Sequence, residues 1–357
     1  MTASDTMQGG CSRREFVKIT MAALAAGASM GVLPAPVLAA PQSRTADKFA
    51  WGLLVHLGMN MWSDRPVDEW GGIPKEDLSF SAAAPKLRFD EPLWNEVLKR
   101  MADAGMDQVV IDLGEGIQYE SHPEIAVEGS WPVAKLRDEL AKVRAMGIEP
   151  IPKMNFSTCH DTWLGPWSRE VSTPGYYKTC AELIEEVVRL FDKPRLFHMG
   201  YDEENYENQT KYEYAVIRQH ELWWHDFEFF VKEIEKNGVR AWMWSDYCWN
   251  HPEDFVKRVP RSVLQANWHY NAKLESANVG VQAYIDLDKA GFDQTPTGSN
   301  WSSPDNFRST VEFCRKNISA DHLKGFLQTV WKPMLPQCRD RQFQAIDQVA
   351  EMIKAKA

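Results

Sequence analysis

Pro92-Leu-Trp-Asn-Glu-Val-Leu-Lys-Arg-Met-Ala-Asp-Ala104-Gly105-Met106-Asp107-Gln-Val-Val-Ile-Asp-Leu113 holds one complete helix-to-strand unit. Residues 92–104 carry a helical pattern, Gly105 stands at the handover, and 107–113 form a short apolar run of strand type. Glycine after a helix is the usual C-cap signal, because it takes the left-handed backbone there without a side-chain penalty. The same handover recurs at Met146-Gly147-Ile148 and Asn237-Gly238-Val239.

Working outward, strand-like runs occur at 51–59, 107–113, 149–155, 196–201, 239–245, 263–268, 292–297 and 325–331. Helical stretches lie at 92–104, 132–146, 176–192, 214–237, 252–258, 285–290, 304–316 and 339–355. Eight strands alternating with eight helices predict an α/β fold, a (β/α)8 TIM barrel forming a single domain over 51–357. A doubly wound open sheet usually has fewer units and a Gly-rich phosphate turn. No G-x-G-x-x-G, P-loop or internal repeat is present. A long irregular stretch, about 61–90, follows the first strand and is placed to roof a site.

Ahead of the barrel, Ser12-Arg13-Arg14-Glu15-Phe16-Val17-Lys18 precedes an uncharged, Ala-rich stretch over 19–40. This pattern resembles a twin-arginine signal peptide, assigned to 1–39 with a short linker over 40–50. Gly27, Gly31, Pro34 and Pro36 interrupt the apolar stretch, which argues against a stable membrane anchor. Cleavage after Ala39 satisfies the small-x-small rule. The expected location is periplasmic or secreted, with the twin-arginine translocase as a partner during export. The reading leaves no room between cleavage site and first strand for an accessory domain.

Of 357 residues, 44% are hydrophobic and 25% charged, which excludes a disordered, collagen-like or coiled-coil chain. Residues 1–39 carry three basic and two acidic residues, so the remaining 318 have a formal charge of −11. An acidic chain without a long basic run is a poor nucleic-acid binder. With Cys11 inside 1–39, the five cysteines that remain, Cys159, Cys180, Cys248, Cys314 and Cys338, are odd in number and lack C-x-x-C spacing. Neither a disulfide framework nor a zinc ribbon follows from them.

The active site of such a barrel lies at the C-terminal ends of its strands. In order, those ends supply Asn60 and Trp62, Asp112 and Glu115, Asn155 and His160, and Tyr201, Asp202, Glu203 and Glu204. The last four strands supply Trp244, Asp246 and Trp249, then Trp268 and His269, Asn300 and Trp301, and Gln328 and Trp331. Carboxylates among tryptophans suggest carbohydrate. Sugar rings stack on indoles, and glycosidic bonds are cleaved with carboxyl groups as acid, base or nucleophile. Asp202 and Glu203 are sequence neighbours, which on a regular strand would point to opposite faces. They serve one pocket only where the chain turns, and Gly200 permits that departure.

These residues resemble glycoside hydrolase family 20, the β-N-acetylhexosaminidases. His198-Met-Gly-Tyr-Asp202-Glu203 is similar to that family's His-x-Gly-Gly-Asp-Glu at the end of strand 4. Looser likenesses are Gly147-Ile-Glu-Pro-Ile-Pro152-Lys-Met-Asn-Phe-Ser-Thr-Cys-His160, His122-Pro-Glu-Ile-Ala-Val-Glu-Gly-Ser-Trp131 and Gly325-Phe-Leu-Gln-Thr-Val-Trp331. The resemblance spans most of 51–335. The chain departs from the family in lacking an arginine at the start of strand 1 and a tyrosine in Thr297-Gly-Ser-Asn-Trp301. Lys332 follows Trp331 in place of an acidic residue, and Lys153 and Cys159 replace Glu and Gly.

The resemblance implies hydrolysis of terminal N-acetylhexosamine residues by a substrate-assisted retaining mechanism. Glu203 would be the general acid/base, and Asp202 would orient the 2-acetamido group whose carbonyl oxygen is the nucleophile. Asp112 and His160 would relay to the acid. Substrate would be held by Tyr201, Trp244, Asp246, Trp268, Trp301 and Trp331. Burial against tryptophan and the charge of Asp202 are expected to raise the Glu203 pKa.

Two other readings keep the barrel. One pairs Glu203 with a second carboxylate such as Asp246, on a sugar without an acetamido group. The other is a catalytically silent glycan-binding barrel. Without an H-E-x-x-H or comparable cluster, neither a metal nor a cofactor is expected.

Overall fold

The computed structural model describes residues 48–69 and 75–355. The twin-arginine segment, its cleavage site and most of the linker lie outside the described residues.

Eight parallel strands form one sheet: β1 (Ala50–His56), β2 (Gln108–Asp112), β3 (Glu149–Lys153), β4 (Leu196–His198), β5 (Arg240–Trp244), β6 (Leu264–Ala266), β7 (Thr297–Ser299) and β8 (Gly325–Thr329). Their order around the sheet is β6-β5-β4-β3-β2-β1-β8-β7. Single bridges Gln265–Gln294 and Trp268–Thr297 join its two ends. The longer helices are α1 (Glu91–Asp103), α2 (Val133–Ala145), α3 (Pro174–Leu190), α4 (His220–Lys236), α5 (Pro252–Arg258), α6 (Val279–Lys289), α7 (Asn306–Asn317) and α8 (Arg339–Lys354). This is the expected (β/α)8 barrel. Among the described residues no helix is long and apolar enough to cross a membrane.

Local chemistry explains the boundaries. The Asp90 carboxylate accepts from Leu93 N at 2.8 Å and caps α1, and Thr173 caps α3 through Tyr176 N. Gly105, Gly147 and Gly238 adopt φ of +79°, +79° and +73° behind α1, α2 and α4, as the handover pattern predicts. Three elements differ from the sequence reading. Pro296 has no N–H to donate, so the ladder of β7 starts at Thr297 and only isolated bridges precede it. The fourth helix begins at His220 rather than 214, because Tyr206–Gln209 forms a separate short turn and 210–219 wrap irregularly over the barrel mouth. The sixth begins earlier than 285, at Val279, where the Asn278 side chain accepts from Gly280 N.

The barrel interior is layered. Leu54, Val110, Ile151 and Leu196 belong to an apolar cluster with Trp242, Leu264 and Leu327. Two residues further along, on the same face, stand His56, Asp112, Lys153 and His198, all buried. The larger core fills the space between strands and helices.

Candidate active site

The chain leaves β4 through a tight turn with left-handed backbone at Gly200 (φ +67°), Tyr201 (+76°) and Glu203 (+53°). Such conformations cost on the order of 1–3 kcal/mol each for residues other than glycine and persist where the surroundings over-determine them. Three strands supply the anchors. Gly200 N donates to His198 Nδ1 at 3.1 Å, Tyr201 N to Asn155 Oδ1 at 3.1 Å, and Glu203 N to Asp246 Oδ2 at 2.8 Å. A Cβ at position 200 would lie 2.1 Å from Asn155 Oδ1, so only glycine fits there. The turn brings both neighbouring carboxylates to one cavity.

Asn155 Nδ2 donates to Asp202 Oδ1 at 2.8 Å. His160 Nε2 lies 3.2 Å from Glu203 Oε2 and 3.5 Å from Asp202 Oδ2. Burial opposes charge on His160, but the two carboxylates outweigh it and raise its pKa. Burial also pushes Glu203 up, yet pairing with His160 prevails and holds it below the usual range. The expected upward shift at Glu203 is therefore corrected: the imidazole, not the indoles, decides its charge. Burial raises Asp202, reinforced by Glu203 and countered by His160 and Lys153. Asp246 is pushed up to about 8 by burial and by the charge of Asp202. The shifts thus favour a proton on His160 and on Asp246 and disfavour one on Glu203.

The cavity holds about 270 Å³ and is walled by Trp62, Trp244, Trp268, Trp301 and Trp331. Tyr270 stacks on Trp268 at 4.8 Å and an interplanar angle of 25°, with Trp301 and Trp331 each 6.5 Å away. Met61, Phe80 and Ser81 close it from the long stretch after β1, which roofs the site as the sequence suggests. Asn208 and Lys332 add polar groups to the lining. The apolar wall with few convergent polar groups is the form of a small-molecule site.

Of the residues anticipated here, Asp202, Glu203, His160, Trp244, Trp268, Trp301 and Trp331 line this cavity. Three others do not take the places expected. Tyr201 turns away into the core, where its hydroxyl donates to Trp223 O at 2.9 Å and Arg218 lies over its ring. Asp246 sits behind the Glu203 backbone, outside the lining. Asp112 is taken up inside the barrel by Lys153 Nζ at 2.5 Å and His56 Nδ1 at 3.4 Å, so it makes no relay to His160. Four strand-end residues anchor loops instead. Glu115 accepts from Met59 N and Asn60 N, Asn60 binds Ala84, Asn300 binds Arg341 O, and Gln328 binds Gln348. Trp249 packs edge-on behind Trp268.

Sequence reasoning missed Tyr270. It follows Trp268 by two residues, the spacing that puts side chains on one face, and that was its available signal. Among the described residues, the ligand-type atoms of His160, Asp202 and Glu203 fall within 4.8 Å of one another. Those atoms are the ones engaged in the ion-pair cluster.

No family model and no curated protein sequence matches this chain. Solved structures match in fold. The family 20 chitobiase of Flavobacterium johnsoniae is 18% identical, with a TM-score of 0.53 covering 73% of this chain and 46% of its own. The family 20 exo-β-N-acetylglucosaminidase of Vibrio harveyi, solved with N-acetylglucosamine, is 14% identical with a TM-score of 0.52, covering 85% and 57%. A Streptomyces plicatus β-hexosaminidase mutant, solved with its product N-acetylglucosamine, is 10% identical with a TM-score of 0.56, covering 85% and 64%. The chain spans about half the length of the first two. These likenesses establish the barrel.

Proposed function

We propose that this chain is an exported glycoside hydrolase that removes terminal N-acetylhexosamine residues with the substrate's own acetamido group as nucleophile. The observation that carries the reading is the Gly200–Glu203 turn, which sets two adjacent carboxylates, bridged by His160, in a tryptophan-walled cavity. Two protein carboxylates acting across a glycosidic bond would stand about 5 Å or more apart on opposite sides of the sugar. Neighbours on one turn suit a different division of labour: one carboxyl for the leaving oxygen, the other for the acetamido nitrogen. The fold likeness to β-N-acetylhexosaminidases supports the same reading.

In this scheme Glu203 donates a proton to the glycosidic oxygen as that bond breaks. The acetamido carbonyl oxygen attacks the anomeric carbon and forms an oxazolinium, whose positive charge Asp202 stabilises and orients. Water then attacks the anomeric carbon from the opposite face, with Glu203 taking its proton, and the acetamido group is restored. His160, 3.2 Å away, exchanges a proton with Glu203 and so lets a low-pKa carboxyl serve as acid and then as base. The indoles pack the sugar faces.

Asp246 does not suit the rival two-carboxylate scheme, because one of its oxygens is spent on the Glu203 backbone. The purified chain should release 4-nitrophenol from an aryl N-acetyl-β-hexosaminide, and Glu203→Gln should lose nearly all turnover while folding normally. Unchanged activity in that variant, or none in the parent on any N-acetylhexosaminide, would remove the assignment. Export by the twin-arginine route belongs to the same proposal. A mature protein beginning at Ala40, lost when Arg13 and Arg14 become lysine, is its test.

A further inference from the structure

Three side chains meet on one wall of the cavity, and their spacing is wider than close ion pairing gives. His160 Nε2 lies 3.2 Å from Glu203 Oε2 and 3.5 Å from Asp202 Oδ2. Charge-assisted N–H···O bonds usually close to about 2.7–2.9 Å. His160 is 4% exposed, yet neither of its ring nitrogens makes a hydrogen bond of good geometry. A buried polar group held so loosely calls for a further partner.

The distances match a different bond. Nitrogen and oxygen ligands held about 2.0–2.2 Å from a tetrahedral zinc ion stand about 3.3–3.5 Å apart. Both His160 separations fall near that edge. The ligand-type atoms of all three residues lie within 4.8 Å of one another, and Glu203, with 38% of its side chain exposed, has room to swing inward. The surrounding bonds suit the same arrangement. Asn155 Nδ2 donates to Asp202 Oδ1 at 2.8 Å and so leaves Oδ2 toward His160. Glu203 N donates to Asp246 Oδ2, which fixes the backbone that carries the second carboxylate. Bonds of this kind orient metal ligands and are commonly worth about 10–100-fold in affinity.

A neutral imidazole with two carboxylates carries two negative charges, which a divalent cation offsets. One nitrogen and two oxygens suit zinc-type ions, whereas Mg²⁺ and Ca²⁺ prefer shells made of oxygen. All three residues line the cavity, so an ion reaches them from solvent.

We infer that His160, Asp202 and Glu203 form a binding site for a divalent transition-metal ion of the zinc class, and that the bound ion acts as an inhibitor. It takes His160 Nε2 and one oxygen of each carboxylate, the groups that the hydrolytic scheme uses. The inhibition rests on the proposed hydrolase reading; the metal site does not.

The chelator-treated parent chain, titrated calorimetrically with ZnCl₂, should bind its tightest ion here, and MgCl₂ should give no heat of binding. His160→Gln and Asp202→Asn should each melt cooperatively and weaken that binding by at least about 100-fold. Co²⁺ in the parent should show the strong visible bands of four-coordination. Saturating Zn²⁺ should remove most turnover of 4-nitrophenyl N-acetyl-β-glucosaminide, and EDTA should restore it. Zinc binding as tight in both variants as in the parent overturns the inference, as does full turnover at saturating Zn²⁺. Should a variant fail to fold, the Co²⁺ spectrum of the parent decides, and the weak bands of octahedral coordination count against the site. A parent that binds zinc here but, freed of metal, cleaves no N-acetylhexosaminide removes the hydrolase reading and leaves the metal site standing.

Discussion

His160 Nε2 stands 3.2 Å from Glu203 Oε2, and this pairing overcomes burial to hold the glutamate low. With His160→Gln that pairing is lost, and burial, countered by the charge of Lys211, moves Glu203 up from its parental position. The step that needs Glu203 as a base then shifts upward, moving the acidic limb of the kcat profile to higher pH. Loss of the proton partner should lower kcat by roughly 10²-fold or more. A kcat profile that keeps its acidic limb in this variant would show that the pair is incidental.

Asp246 carries the clearest consequence for stability. Its pKa is pushed up to about 8 in the folded chain, against about 3.9 for an unhindered aspartate. Between those values the native state binds more protons than the unfolded state at this site, so it contributes stability at low pH that is lost as pH rises through about 8. One such group changes stability by at most about 1.4 kcal/mol per pH unit. In Asp246→Asn that contribution disappears, and denaturant midpoints measured from pH 5 to 8 should fall less steeply than in the parent. An unaltered slope would mean that Asp246 is ionised throughout.

Gly200 is constrained twice, by φ of +67° and by Asn155 Oδ1 at 2.1 Å from where a Cβ would stand. Gly200→Ala must displace Asn155, which also holds Asp202 and Tyr201. A stability loss of about 1–3 kcal/mol is expected from the strain, with a larger proportional fall in kcat than in 1/KM. Denaturation and steady-state kinetics on the same preparation check both. Parental kcat would show that the turn tolerates movement.

Tyr201 tests the correction to its role. Tyr201→Phe loses the hydrogen bond to Trp223 O, at about 1 kcal/mol of stability. KM for any aryl glycoside should stay where it was, because the ring faces the core. A several-fold rise in KM would return Tyr201 to the substrate pocket.

The barrel was legible because strand and helix periods alternate and glycine marks three helix ends, signals that depend only on local backbone preference. Boundaries failed where local preference meets a tertiary constraint, as at Pro296 and in 206–219, which is held by buried Arg218 bonding Glu204, Asp226 and Phe156 O. The Asp202–Glu203 pair was readable from Gly200 and the motif around it. The tryptophan wall was readable from strand-end positions. Tyr201 was misread because left-handed backbone at three of four turn residues reverses the usual alternation of side chains. Asp112 was misread because a lysine three-dimensionally adjacent, but 41 residues distant in sequence, claims its carboxylate. No local pattern announces such a partner.

In the proposed reaction the acetamido oxygen is the nucleophile. Replacing the N-acetyl group of an aryl β-glucosaminide by mono-, di- and trifluoroacetyl weakens that oxygen stepwise without much change in size. With the acetamido oxygen as nucleophile, kcat/KM should fall steeply along the series and an N-acetyl thiazoline should compete tightly with substrate. Equal rates across the series, with no inhibition by the thiazoline, would contradict it.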